Sequence, residues 1–169
     1  MRPMPHRRAS PPQIDVQTQS PLWKAQPLAA QTVRKAIIAA ASTLSTAGGE
    51  VSIVLTDDSA IRLLNRDWRG IDQPTNVLSF PASGNKTSEG ARLLGDIVIA
   101  YETLERECDN EARIFLHHLA HLAVHGFLHL IGYDHQTDSQ AEEMEGLESK
   151  IMKHLNMPDP YLSRDFGDA

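Results

Sequence analysis

Residues 116–135 read Leu-His-His-Leu-Ala-His-Leu-Ala-Val-His-Gly-Phe-Leu-His-Leu-Ile-Gly-Tyr-Asp-His, and both the fold class and the chemistry turn on this stretch. Leu116, Leu119, Ala120, Ala123, Phe127 and Leu130 recur with a 3.6-residue period up to Gly132, which predicts a helix of about 20 residues starting near Asp109 or Asn110. The polar positions of that helix are histidines. Six of the chain's eight fall between His117 and His135, where an even spread would place about one.

His125 and His129 stand four apart, so their imidazoles share one helix face a turn apart and reach one ion. Gly132 is free to take the left-handed conformation that turns the chain back sharply, and His135 then supplies a third ligand. Three neutral imidazoles suit Zn²⁺. Three protein ligands rather than four leave one position open, as in catalytic rather than structural zinc. His121 and Asp134 are expected to orient these ligands, and His117 and His118 to lie on the polar face or in a similar supporting position. The spacing coincides with the protease pattern H-E-x-x-H-x-x-G-x-x-H at all three histidines and the glycine. Gly126, however, occupies the place of the general-base glutamate and cannot accept a proton, which disfavours peptide hydrolysis by the usual zincin mechanism.

Working outward, Ile14 and Val16 suggest a short strand before a turn at Pro21 and Trp23, and Leu28 to Leu44 carry helical spacing up to Gly48-Gly49. A β-branched run at 51–56 reads as a strand, and Asp57 or Asp58 caps a helix that buries Ile61 and Leu64 and ends at Gly70. Arg62, Arg66 and Arg69 form the one local basic cluster, at or just beyond that helix's polar face. Further strands are expected at 77–80 and 93–101, with a Ser- and Gly-rich loop over 82–92 between them. Ser139 with Glu142 reads as a capping box for a final helix with Met144, Leu147, Ile151 and Leu155 inward. The pattern predicts a single-domain α+β fold in which helices pack on a mixed sheet of about four strands.

The 169 residues amount to one domain, expected over 13–159, between a flexible proline-rich arm at 1–12 and a tail at 160–169. A lone Cys108 excludes an internal disulfide, and no apolar run approaches the ~18 residues of a membrane span. The chain reads as cytoplasmic. A net charge of −6 argues against nucleic-acid binding through overall charge, so such a partner needs a local basic patch.

At this point the residues resemble the YbeY family of bacterial metal-dependent endoribonucleases that act in ribosomal RNA maturation. The resemblance rests on H-G-x-L-H-L-x-G-Y-D-H at His125–His135, on Leu64-Asn65, Arg69 and Asp72, on Pro74–Pro81, and on Gly95-Asp96-Ile97. It implies one zinc ion held by His125, His129 and His135, and an activity-linked, RNA-contacting role for Arg69; Arg66 and Asn76 are further candidates for supporting or substrate-contacting roles. It also implies cleavage of single-stranded RNA at the 3′ end of small-subunit ribosomal RNA, a part in ribosome quality control, and ribosomal partners, with no membrane and no DNA. Asn76 stands where a P-T-D pattern carries a carboxylate, so a hydrogen-bonding role survives there and an ion-pair role does not. Two alternatives stay open: a zinc metallopeptidase-like hydrolase, and a ribosome-associated binding module with structural zinc.

Overall fold

The computed structural model describes residues 10–46, 48–83 and 92–162. Most of the proline-rich arm, the core of the predicted 82–92 loop and the end of the tail lie outside these residues. The order is β1 (Gln13–Thr18), α1 (Ala29–Thr43), β2 (Glu50–Thr56), α2 (Asp58–Arg69), β3 (Val77–Pro81), β4 (Leu93–Ala100), α3 (Tyr101–Glu111), α4 (Phe115–Leu130) and α5 (Asp138–His154). Between β1 and α1 the expected turn is a short 3-10 helix, Pro21–Ala25, whose Trp23 is buried and donates its indole N–H to Thr56 O at 2.8 Å.

The sheet runs β1-β2-β4-β3. β1, β2 and β4 are parallel, and β3 pairs antiparallel with β4, so the sheet is mixed, as expected. Val51, Ile53 and Leu55 of β2 and Ile97 and Ile99 of β4 form one face, buried together with α1, α4 and α5 in the main core. The opposite face of β3 and β4 carries Leu78, Val98 and Ala100, which α2 covers with Ile61. Burying helices on both faces places the β3–β4 edge between α2 and α4, and both elements reach one cavity from there.

Three local expectations are corrected. The helix predicted from Asp109 is two helices, because Ala112 takes the left-handed conformation (φ 52°) and ends α3 before Ile114 opens α4 with extended backbone. β4 stops at Ala100 rather than running through Tyr101, which begins α3. The capping box of α5 is Thr137 with Gln140, two residues earlier than Ser139 with Glu142. Among the described residues no helix is long and apolar enough to cross a membrane.

Candidate metal centre

α4 is buried on nearly every side, and its C-terminal turns face β3 and β4 closely. Gly126 is the contact point. A Cβ there would meet Ile97 Cγ2 at 2.9 Å and Ser79 Oγ at 3.1 Å, and the Ser79 hydroxyl donates to Gly126 O at 3.1 Å. The position that carries glutamate in zincin proteases therefore points into a helix–sheet contact without room for a side chain.

His125 and His129 project from the neighbouring face of α4. Gly132 (φ 106°) turns the chain, and Tyr133 N donates back to Leu128 O at 3.0 Å. The Asp134 carboxylate accepts the His135 backbone N–H at 2.8 Å, which pins the turn. Through these contacts one ring nitrogen from each of His125, His129 and His135 lies within 4.8 Å of the other two.

The outer nitrogens of the two helical rings are tied. His125 Nδ1 donates to Glu148 Oε1 at 2.7 Å, and His129 Nδ1 donates to Tyr133 O at 2.9 Å. With the proton on Nδ1, each ring offers its Nε2 lone pair inward. These two Nε2 atoms stand 3.1 Å apart. Two lone pairs at that distance repel unless positive charge lies between them, so the donor set fits a bound cation, and three nitrogen donors suit a borderline metal such as zinc. Burial, and then the neighbouring His125 and His135, hold the His129 imidazole below its ordinary pKa, which favours the neutral form that ligation requires.

Glu148 is the residue that sequence reasoning missed. It is fully buried on α5 and accepts from His121 Nε2 at 2.6 Å as well as from His125, and the Tyr161 hydroxyl donates to the same carboxylate. Burial alone would raise its pKa, but the hydrogen bonds from His121 and His125 outweigh that and hold it at about 2. The signal was present: Glu148 lies four residues after Met144 and three before Ile151, a charge on the apolar stripe of α5. His121 thus sits behind Glu148, away from the converging nitrogens. Glu148→Gln removes the charge that holds both imidazole N–H groups, so metal affinity is expected to fall about 10- to 100-fold. Competition against a chelating dye measures it, and an unchanged affinity would contradict the orienting role.

Asn76 donates its amide to both Glu107 oxygens, at 2.9 and 3.1 Å, and accepts from Val77 N at 2.7 Å. An aspartate there would face the Glu107 carboxylate as a second like charge, so the amide matches its partner. Glu107 also accepts from His118 Nε2 at 3.3 Å.

The three histidines, Asn76, Asp134 and Arg69 line one cavity of about 860 Å³. The basic cluster is smaller than the sequence suggested. Arg62 pairs with Asp72 at 2.8 Å, and Arg66 pairs with Asp67 at 3.0 Å without reaching the cavity wall. Among the described residues the side chain of Arg69 alone of the three makes neither hydrogen bond nor ion pair, and it is the one that lines the cavity with the histidines.

Residues 14–156 match the family model described as Endoribonuclease YbeY. A Bradyrhizobium sp. protein named Endoribonuclease YbeY is 53% identical over 160 residues, 91% of this chain and 95% of that one. A protein of the same name from Rhodopseudomonas palustris is 51% identical over 163 residues, covering 94% of this chain and 95% of the relative. The solution structure of TM1509 from Thermotoga maritima aligns at a TM-score of 0.47 and 22% identity over 88% of this chain and 98% of that one.

Proposed function

The chain belongs to the YbeY endoribonuclease family, and from that premise we propose that it is a zinc-dependent endoribonuclease that cleaves single-stranded RNA. Its substrate on this reading is ribosomal RNA, cut during maturation of the small-subunit 3′ end and in ribosome quality control, with the ribosome as partner and the cytoplasm as the place of action. The observation that carries the reading is the convergence of three imidazoles, two with their outer nitrogens already tied, on the wall of a cavity that a free Arg69 shares.

His125, His129 and His135 hold one zinc ion. Bound there, zinc would supply a Lewis acid and would lower the proton affinity of an attacking oxygen. Glu148 and the Tyr133 carbonyl keep the two helical rings aimed inward, and Asp134 fixes the turn that presents His135. Arg69 pairs its planar guanidinium with two phosphoryl oxygens, offsetting the charge that accumulates as the phosphorus becomes five-coordinate. Asn76 and His121 take supporting parts: Asn76 shapes the cavity wall through Glu107 and His121 steadies Glu148, whereas the charge of Arg66 is offset by Asp67 outside the cavity wall.

Cleavage of a labelled single-stranded RNA, with and without chelator, tests the proposal. Cleavage abolished by chelator and restored by zinc is expected, and chelator-resistant cleavage by pure protein would contradict it. Arg69→Ala is expected to keep its metal and lose about 10²- to 10³-fold in cleavage rate, the typical effect of removing one transition-state donor. Full cleavage by Arg69→Glu would rule out the phosphate-pairing role.

A further inference from the structure

One side chain on the cavity wall has no part in the chemistry above. Trp68 is 72% exposed, yet it lines the same cavity as Arg69 and the three histidines. Its ring meets Phe80 at 63°, with centroids 6.0 Å apart, and most of the indole surface stays in water. Single exposed apolar residues are common and need no explanation of their own. Here the residue stands at a concave wall, next in sequence to Arg69, whose guanidinium has no partner among the described residues.

The turn that carries Trp68 is held in place from several sides. Gly70 closes α2 in the left-handed conformation, with its N–H donating to Arg66 O at 3.0 Å. The buried Asn65 amide donates to Gln73 O at 2.9 Å, and Arg62 grips Asp72 through two bonds at 2.8 and 3.2 Å. The backbone carrying the indole is therefore ordered before any ligand arrives, which lowers the entropic cost of using it for binding.

We propose that Trp68 is a stacking platform for one unpaired base of the RNA strand whose neighbouring phosphate Arg69 holds. The proposal rests on the endoribonuclease reading above and adds a base subsite to it. Every base presents a π face, so the platform accepts any nucleotide, but a base already stacked and paired within a duplex cannot reach it. Stacking also supplies affinity that a chain of net charge −6 cannot draw from phosphate contacts alone. A protein surface could also cover an indole, but the adjacent free guanidinium and the imidazole-lined cavity favour a nucleotide strand.

The chain has two tryptophans, and Trp23 is buried at 3% exposure, so a ligand-dependent change in emission reports on Trp68. The probe is a short single-stranded oligoadenylate titrated into full-length protein kept in chelator, so that no cleavage accompanies binding. Quenching is expected on binding. Trp68→Ala is expected to weaken affinity about tenfold to a hundredfold, and Trp68→Tyr to restore most of it. At one position of the strand, an abasic substitution is expected to cost the wild type that same factor and to cost Trp68→Ala nothing further. Equal binding by wild type and Trp68→Ala would overturn the stacking role while leaving the endoribonuclease reading intact. Wild-type protein that neither binds nor cleaves RNA would overturn both. Emission that shifts with protein concentration alone, without RNA, would assign the indole to a protein interface and overturn the stacking role.

Discussion

His129→Ala is expected to lose bound metal and RNA cleavage together, with cleavage falling to the level of chelated wild-type protein. His129 is the middle member of the triad. Its ring centroid lies 4.6 Å from that of His125 and 5.0 Å from that of His135, whereas those two are 5.7 Å apart. Removing it leaves two imidazoles, one of them on an exposed turn, too few for a tightly held ion. The fold is expected to survive. The His129 ring faces the cavity, and among the described residues its one hydrogen bond outside the histidine triad is to Tyr133 O, so the stability cost stays within about 1–2 kcal/mol. Metal content after gel filtration, a thermal melt and the RNA assay on one preparation check all three statements. A variant that keeps stoichiometric metal, or cleaves at the wild-type rate, would show that the ion or the chemistry lies elsewhere.

Gly126→Glu, which completes the zincin pattern on paper, is expected to cripple folding rather than create a peptidase. The added Cβ alone meets Ile97 Cγ2 at 2.9 Å, and Ile97 is fully buried in the central strand β4. Overpacking a core contact costs about 1–3 kcal/mol, and an unpaired carboxylate buried beside it adds several more. A total near 5 kcal/mol is a large share of the ~5–15 kcal/mol that holds a typical domain together. At roughly 2–4 °C per kcal/mol for a chain of this size, the melting temperature is expected to drop on the order of 10–20 °C. Gly126→Ala is milder, because the strain is partly offset by the ~1 kcal/mol gained when alanine replaces a helical glycine. Gly126→Glu protein with an unchanged melt would mean that α4 does not pack on β4 as described.

The convergence of the three histidines was legible because its geometry is local. An i, i+4 pair and a glycine turn bring three imidazoles together, and β2 and β4 declare themselves through β-branched runs. α3 was not legible: of its eleven residues only Tyr101, Leu104 and Cys108 are buried, too thin a stripe to stand out among charges. The break after it is hidden too, because an alanine rather than a glycine takes the left-handed position at 112. Glu148 needed tertiary knowledge, since nothing short of docking α5 on α4 places its carboxylate between two histidines. The arginine cluster was overread for a related reason: Asp67 and Asp72 neutralise two of its three members, and only folding shows which one remains.

The most direct test of the proposed metal dependence is a titration of metal-free protein with zinc, following the initial rate of cleavage of a labelled single-stranded RNA at each ratio. The rate is predicted to rise linearly and to level off at one ion per chain, with His129→Ala protein inactive throughout. Cleavage already complete in metal-free protein, or zinc binding at that ratio with no cleavage at any point, would contradict the account.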